Sequence, residues 1–128
     1  MRRSALAVAA LGLLAMGAAP ASPQSATAVV ADPAAGETLF QDRCVTCHAP
    51  AGGGQGPSLK GVFDRKAAAL PGFAYTAGLK GSGLVWNAPT LERFLTDPRK
   101  LVPGTAMAIR VPDPRQRRDL IGYLATRK

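Results

Sequence analysis

At 128 residues, with 16 Lys plus Arg against 8 Asp plus Glu for a formal charge of +8, the chain has room for at most one modest domain. Aromatic residues are only 5% and no basic stripe is interleaved with stacking rings, which argues against a nucleic-acid-binding surface. Two cysteines and one histidine in the whole sequence exclude a structural zinc site built entirely of Cys and His, which needs four such ligands.

Residues 1–21 read as a secretory signal peptide. Met1-Arg2-Arg3 is a basic start, Ala5 to Ala19 an uncharged apolar run, and Ala19-Pro20-Ala21 a small-residue cleavage site. The 15 residues of that run fall short of the about 20 that span a bilayer, so a cleaved leader is expected rather than an uncleaved anchor. Export follows, to the periplasm if the host is bacterial. Without Arg2 and Arg3 the balance is 14 basic against 8 acidic groups, or +6, which suits acidic protein partners or anionic lipid headgroups. A merely solvated surface would use the same charges. Residues 22–31 lack periodicity and read as a flexible linker, leaving 32–128 as the folded domain.

Asp32-Pro33 places an N-cap before a proline at the first helical position and predicts a helix from about Pro33 to Cys44. Gly36 and Phe40 fall on one face of it, with Leu39 beside them. A glycine inside a helix costs about 1 kcal/mol against alanine, a cost that makes sense where a second helix crosses at short range. The helix runs into Cys44-Val45-Thr46-Cys47-His48. C-x-x-C-H is the attachment pattern of a c-type haem. Two cysteines three apart at a helix end project from one side, and each thiol can add across a vinyl group on one porphyrin edge. His48 is then held where a ring nitrogen can ligate the iron. Alone, C-x-x-C also fits a redox dithiol, half a zinc site or a short-loop disulfide. The zinc site cannot be completed, and a thioredoxin-like dithiol belongs near a βαβ pattern that the sequence lacks. In an oxidising compartment two free thiols would close on each other, a fate that bonding both to a porphyrin removes.

Ala49 to Pro57 is a glycine-rich loop without the G-K-[ST] ending of a phosphate-binding loop. The segment to Pro71 carries the basic pair Arg65-Lys66, followed by Phe73-Ala74-Tyr75-Thr76, glycine turns at Gly78, Gly81 and Gly83, and then Trp86. Asn87 caps a second helix, about Ala88 to Asp97, with Leu91, Phe94 and Leu95 on one face, and Pro98 ends it. Val102 to Met107 is turn-like around Pro103-Gly104. Asp113-Pro114 repeats the cap-plus-proline signal and opens a third helix to about Thr126, with Leu120, Ile121, Tyr123 and Leu124 inward. The expected class is all-α, with three main helices joined by long Gly/Pro loops. With 14 Gly and 11 Pro there is little side-chain volume for those loops to pack on, and small loop-rich domains need a staple. A covalently held haem would be one.

If His48 is the proximal ligand, the lack of a second histidine excludes bis-histidine ligation by this chain. Met1 and Met16 leave with the leader, so Met107 is the one thioether left to the domain. A His/Met pair is the electron-transfer ligation that raises reduction potential. Met107 could instead fill a gap in the core, with lysine or tyrosine as the sixth ligand.

Gly36-x-x-x-Phe40, Cys44-x-x-Cys47-His48, Gly56-Pro57-x-Leu59, Phe73-x-Tyr75-Thr76, Trp86, Pro98-Arg99-Lys100, Val102-Pro103-Gly104-Thr105-x-Met107 and Asp119-Leu120-Ile121-x-Tyr123-Leu124 form an ordered set. Together they resemble the class I c-type cytochromes of the mitochondrial cytochrome c and bacterial cytochrome c2 type, over about Gly36 to Leu124. The resemblance implies the cytochrome c fold around one haem c bound covalently through Cys44 and Cys47. His48 and Met107 would fill both axial positions, which leaves no site for enzymatic chemistry. It further implies that Gly36 and Phe40 pack on Leu120 and Tyr123, and that the Pro57 carbonyl orients His48. Tyr75 and Trp86 would serve a buried haem propionate, with Arg65 and the Thr76 and Thr105 hydroxyls nearby, since a buried carboxylate needs donors. Without that role Tyr75 and Trp86 are ordinary core aromatics and Arg65 a surface charge.

The sequence departs from the family at Phe94, often a tyrosine, at Leu79, commonly asparagine, and at Ala106 and Ile109, usually lysine and phenylalanine. The implied function is that of a soluble, monomeric single-haem carrier in electron transport such as a respiratory chain. Arg43, Arg99, Lys100 and Arg110 would form a basic rim that meets the acidic surface of an oxidase, reductase or reaction centre. The rival readings are a haem enzyme or gas or peroxide sensor with a labile Met107, a haem-free dithiol oxidoreductase, and a membrane-tethered form of the same carrier.

Overall fold

The computed structural model describes residues 30–128. The leader expected over 1–21, and the linker except for Val30 and Ala31, lie outside the described residues. Five helices follow in order: α1 (Pro33–Arg43), α2 (Ala77–Lys80), α3 (Ala88–Thr96), α4 (Pro98–Leu101) and α5 (Pro114–Thr126). The described residues contain no sheet, only an isolated antiparallel bridge between Lys66 and Val85. None of their helices is long and apolar enough to cross a membrane.

The three long helices start where local chemistry places them. The Asp32 carboxylate accepts the Ala34 and Ala35 N–H groups at 3.0 and 3.2 Å. Asp113 accepts those of Arg115 and Gln116 at 2.7 and 3.2 Å, and Asn87 accepts that of Thr90 at 3.0 Å. Each satisfies donors that the first helical turn otherwise leaves unpaired. Two one-turn helices were not expected. Pro98 ends α3 as read, but Asp97 both closes α3 and caps α4, accepting the Lys100 N–H at 3.2 Å. Proline at the first position of α4 supplies the φ that a new helix needs. Likewise Thr76 caps α2 by accepting the Leu79 N–H at 3.3 Å, where only glycine turns were read.

α1 and α5 cross at Gly36. A Cβ there would overlap the Asp119 carbonyl and come within 2.9 Å of the Leu120 nitrogen, so the backbones meet at a distance only glycine allows. Phe40 and Tyr123 stack beside the crossing with ring centroids 5.5 Å apart, and the Arg127 guanidinium lies over both rings at 5.1 and 5.3 Å. Asp119, itself buried, accepts the Asp32 N–H at 2.9 Å and so ties the start of α1 to the middle of α5. α3 packs on α5 and supplies Leu91, Phe94 and Leu95 to the core, which the buried Val102 and Val111 extend from the loop before α5.

Candidate haem-binding site

The space enclosed by α1, α3, α5 and the intervening loops is a cavity of about 450 Å³, within the range of cofactor sites. Phe40, Leu91, Phe94, Leu95, Leu120 and Leu124 give it an apolar wall. Cys44, Cys47, His48 and Met107 all line it, as do Pro57, Arg65, Tyr75, Thr76, Trp86 and Thr105.

α1 ends at Cys44, whose N–H donates to the Phe40 carbonyl at 2.9 Å. The Cys44 carbonyl then accepts from Cys47 at 3.1 Å and from His48 at 2.8 Å, a tight turn that brings both sulfurs and the imidazole to one cavity. The two thiols are not joined to each other. Burial pushes the Cys44 thiol above its ordinary range; the Arg43 guanidinium partly opposes this and neighbouring Cys47 adds to it.

His48 Nδ1 lies 2.8 Å from the Pro57 carbonyl. A carbonyl can only accept, so Nδ1 carries the proton and the Nε2 lone pair is free to ligate. Gly56 packs on the same ring. A Cβ there would sit 2.5 Å from His48 Cε1 and 2.7 Å from Nδ1. Its N–H donates to the Cys47 carbonyl at 2.9 Å, so the glycine loop wraps back on the cysteine turn. The sequence set Gly56 in the Gly56-Pro57-x-Leu59 motif without a role of its own, and the structure supplies one.

Met107 is half-buried on the loop between α4 and α5, and its N–H donates to Thr105 Oγ1 at 3.4 Å. The preceding turn needs Gly104, whose φ is +83°. That turn rests on α2 at Gly78, where a Cβ would overlap the Pro103 carbonyl. Thr105 is buried, and Thr76 lines the cavity while capping α2. Trp86 packs on Phe94 with centroids 4.8 Å apart, and Tyr75 on Phe73 at 4.9 Å. Arg65 sits at the cavity's edge and donates to the Lys60 and Ser58 carbonyls at 2.8 and 3.3 Å.

The four arginines and lysines read as one rim are not equivalent. Arg43 lines the cavity and donates to the Arg110 carbonyl at 3.2 Å. Arg110 pairs with Asp97 at 2.9 Å, which offsets its charge. Arg99 and Lys100 are exposed on α4 and do not line the cavity. Ala106, Ala108 and Ile109 do line it, and Ile109 is 46% exposed, so this part of the mouth is apolar. A flat, largely apolar group carrying two vinyl groups, a metal and acidic substituents fits this donor set. Two thiols share one turn, an oriented imidazole and a thioether line one cavity, and hydroxyl and indole donors stand at its polar parts.

The sequence profile of the family described as Cytochrome c matches residues 33–128. The chain is 40% identical over 97 residues to cytochrome c of Ginkgo biloba, covering 73% of this chain and 86% of that one. It is 41% identical over 100 residues to cytochrome c2 of Rhodopila globiformis, covering 76% and 94%. Among solved structures, cytochrome cH from Methylobacterium extorquens superposes with a TM-score of 0.70 at 44% identity, covering 74% of this chain and 98% of that one.

Proposed function

This chain belongs to the cytochrome c family, and on that premise we propose that it is an exported, soluble electron carrier whose iron is held by His48 and Met107. Family membership and the C-x-x-C-H motif give it one covalent haem c, and proteins of this family carry electrons rather than catalyse reactions. When bound, that group supplies an iron that gains and loses one electron with little change in geometry.

The chain's own residues do the rest. Cys44 and Cys47 would hold the haem covalently as thioethers. His48 presents Nε2 because Pro57 holds Nδ1–H, and Gly56 leaves room for the ring. Met107, on the loop between α4 and α5, would offer its sulfur to the iron and, with His48, would leave no position for a substrate. Tyr75, Trp86, Thr76 and Thr105 supply donors to a propionate, with Arg65 at the edge. The wall of Leu91, Phe94, Leu95, Leu120 and Leu124 excludes water. Arg43, with Arg99, Lys100 and Arg110 further out, faces acidic surfaces of redox partners. The domain is 32–128, preceded by a leader that directs export, to the periplasm in a bacterial host.

One observation carries this reading: an imidazole whose Nδ1 lies 2.8 Å from the Pro57 carbonyl oxygen lines the same cavity as Met107, the only methionine among the described residues. The test is the optical spectrum of protein expressed with a haem-attachment system. A ferric band from thioether–iron ligation and a ferrous form that does not bind CO are expected. Avid CO binding by the ferrous protein would place it instead among haem enzymes or gas sensors.

A further inference from the structure

Arg117 is a charged residue in the middle of α5, yet it is only 8% exposed. Buried arginines need several partners, and this one has three. Its Nε donates to Glu92 Oε1 of α3 at 2.7 Å. Its Nη1 donates to the carbonyls of Val111 and Pro112, both at 2.8 Å. One guanidinium therefore joins α5, α3 and the end of the loop that carries Met107.

That loop's other fixings lie toward its two ends, and at the far end they include the Val111 side chain, buried in the core. The loop is held at its start, where the Val102 N–H donates to the Pro98 carbonyl at 2.9 Å and Thr105 to Val102 at 3.1 Å. From Ala106 to Arg110 every residue except the half-buried Met107 is exposed. At its far end the Val111 N–H donates to the Leu95 carbonyl at 2.8 Å. The Arg110–Asp97 pair also acts there, but Arg110 is 60% exposed, and exposed ion pairs contribute little. The Arg43 bond to the Arg110 carbonyl is exposed as well. The Arg117 side chain is 10% exposed and its charge-assisted bonds to the Val111 and Pro112 carbonyls are sheltered, while Glu92 is 41% exposed.

We propose that Arg117, charge-balanced by Glu92, is a positioning residue that fixes the far end of the Ala106–Arg110 segment and thereby sets how firmly Met107 holds the iron. The proposal rests on the reading of Met107 as ligand. If the loop end is loosened, the sulfur leaves more readily and an external ligand takes its place. The fork geometry matters as much as the charge, because a lysine ammonium cannot span Glu92 and both carbonyls.

The experiment is a titration of the ferric holoprotein with imidazole, followed by loss of the thioether–iron band. Arg117→Gln is expected to bind imidazole about tenfold more tightly than the parent, the scale of losing about one charge-assisted bond. Arg117→Lys should fall between the two. Glu92→Gln should show the smallest change, since both carbonyl bonds and an acceptor at position 92 remain. In a Met107→Ala background, Arg117→Gln should leave imidazole affinity unchanged, because no sulfur remains to be displaced. The proposal is overturned if Arg117→Gln lowers thermal stability without altering imidazole affinity, or alters it equally with and without Met107. A parent that lacks the band and binds imidazole as tightly as Met107→Ala would instead bring down the ligand assignment itself. If Arg117→Gln fails to accumulate, Arg117→Lys and Glu92→Gln still decide the order.

Discussion

A methyl group added at Gly56 would land 2.5 Å from the His48 ring, whose other side of the bargain is the fixed bond to Pro57. The imidazole cannot retreat without giving up that bond. Gly56→Ala is therefore expected to cost about 1–3 kcal/mol, the usual scale of overpacking, seen as a lower urea midpoint of the holoprotein and a disturbed imidazole signal in paramagnetic NMR. Met107→Ala acts differently. It removes a half-buried side chain from the cavity and, on the proposed ligation, the iron's sulfur ligand, so the ferrous protein should bind CO where the parent does not, read as a shift of the main haem absorption band. Cys44, Cys47, His48 and Met107 could be picked out from residue counts and spacing because the chemistry needs scarce residue types. Gly56 and Arg117 could not. One acts through what it lacks, and the other has its carboxylate partner 25 positions away.

Elements differ in what their substitutions report. At the α1–α5 crossing the obstacle to a Cβ on Gly36 is the Asp119 backbone, which cannot move aside unless the helices part. Gly36→Ala should cost about 3 kcal/mol or more, at the upper end of overpacking, despite alanine's better helix propensity. Asp113→Ala removes only the cap of α5 and should cost about 1 kcal/mol. Denaturant curves of the two variants side by side check the ratio. The starts of α1, α3 and α5 were readable because a cap bonds within three residues of itself. α2 and α4 were not. Each is a single turn, and Asp97 both ends one helix and begins the next, so the proline that signals a stop also signals a start.

Taken whole, the protein is a thin shell of helices and glycine loops around a cavity of about 450 Å³. A shell of this size has little apolar contact to spare without a group in its centre. The doubly substituted Cys44→Ala, Cys47→Ala chain, unable to retain haem covalently, is expected to lack a cooperative thermal transition in far-ultraviolet circular dichroism. The charge distribution carries a second expectation. Electron exchange with an acidic partner should slow as ionic strength rises, and Arg43→Gln should flatten that dependence more than Arg110→Gln. Arg110 already faces Asp97 at 2.9 Å, whereas the Arg43 contact to the Arg110 carbonyl leaves its charge uncompensated. Stopped-flow rates over a salt series measure both.

The division between what could be read from the chain and what could not follows the range of the interactions. Caps, the C-x-x-C-H turn and the scarcity of histidine and methionine are properties of neighbouring residues or of simple counts, and they carry the all-α class, the haem and its candidate ligands. The packing of Gly36 on the Asp119 carbonyl, the seating of Gly104 on Gly78, the burial of Arg117 and the neutralisation of Arg110 by Asp97 depend on residues brought together only when the chain closes on itself. A formal charge has the same letter whether water or a carboxylate surrounds it. Only the folded arrangement decides which arginine pairs with a carboxylate and which lines the cavity.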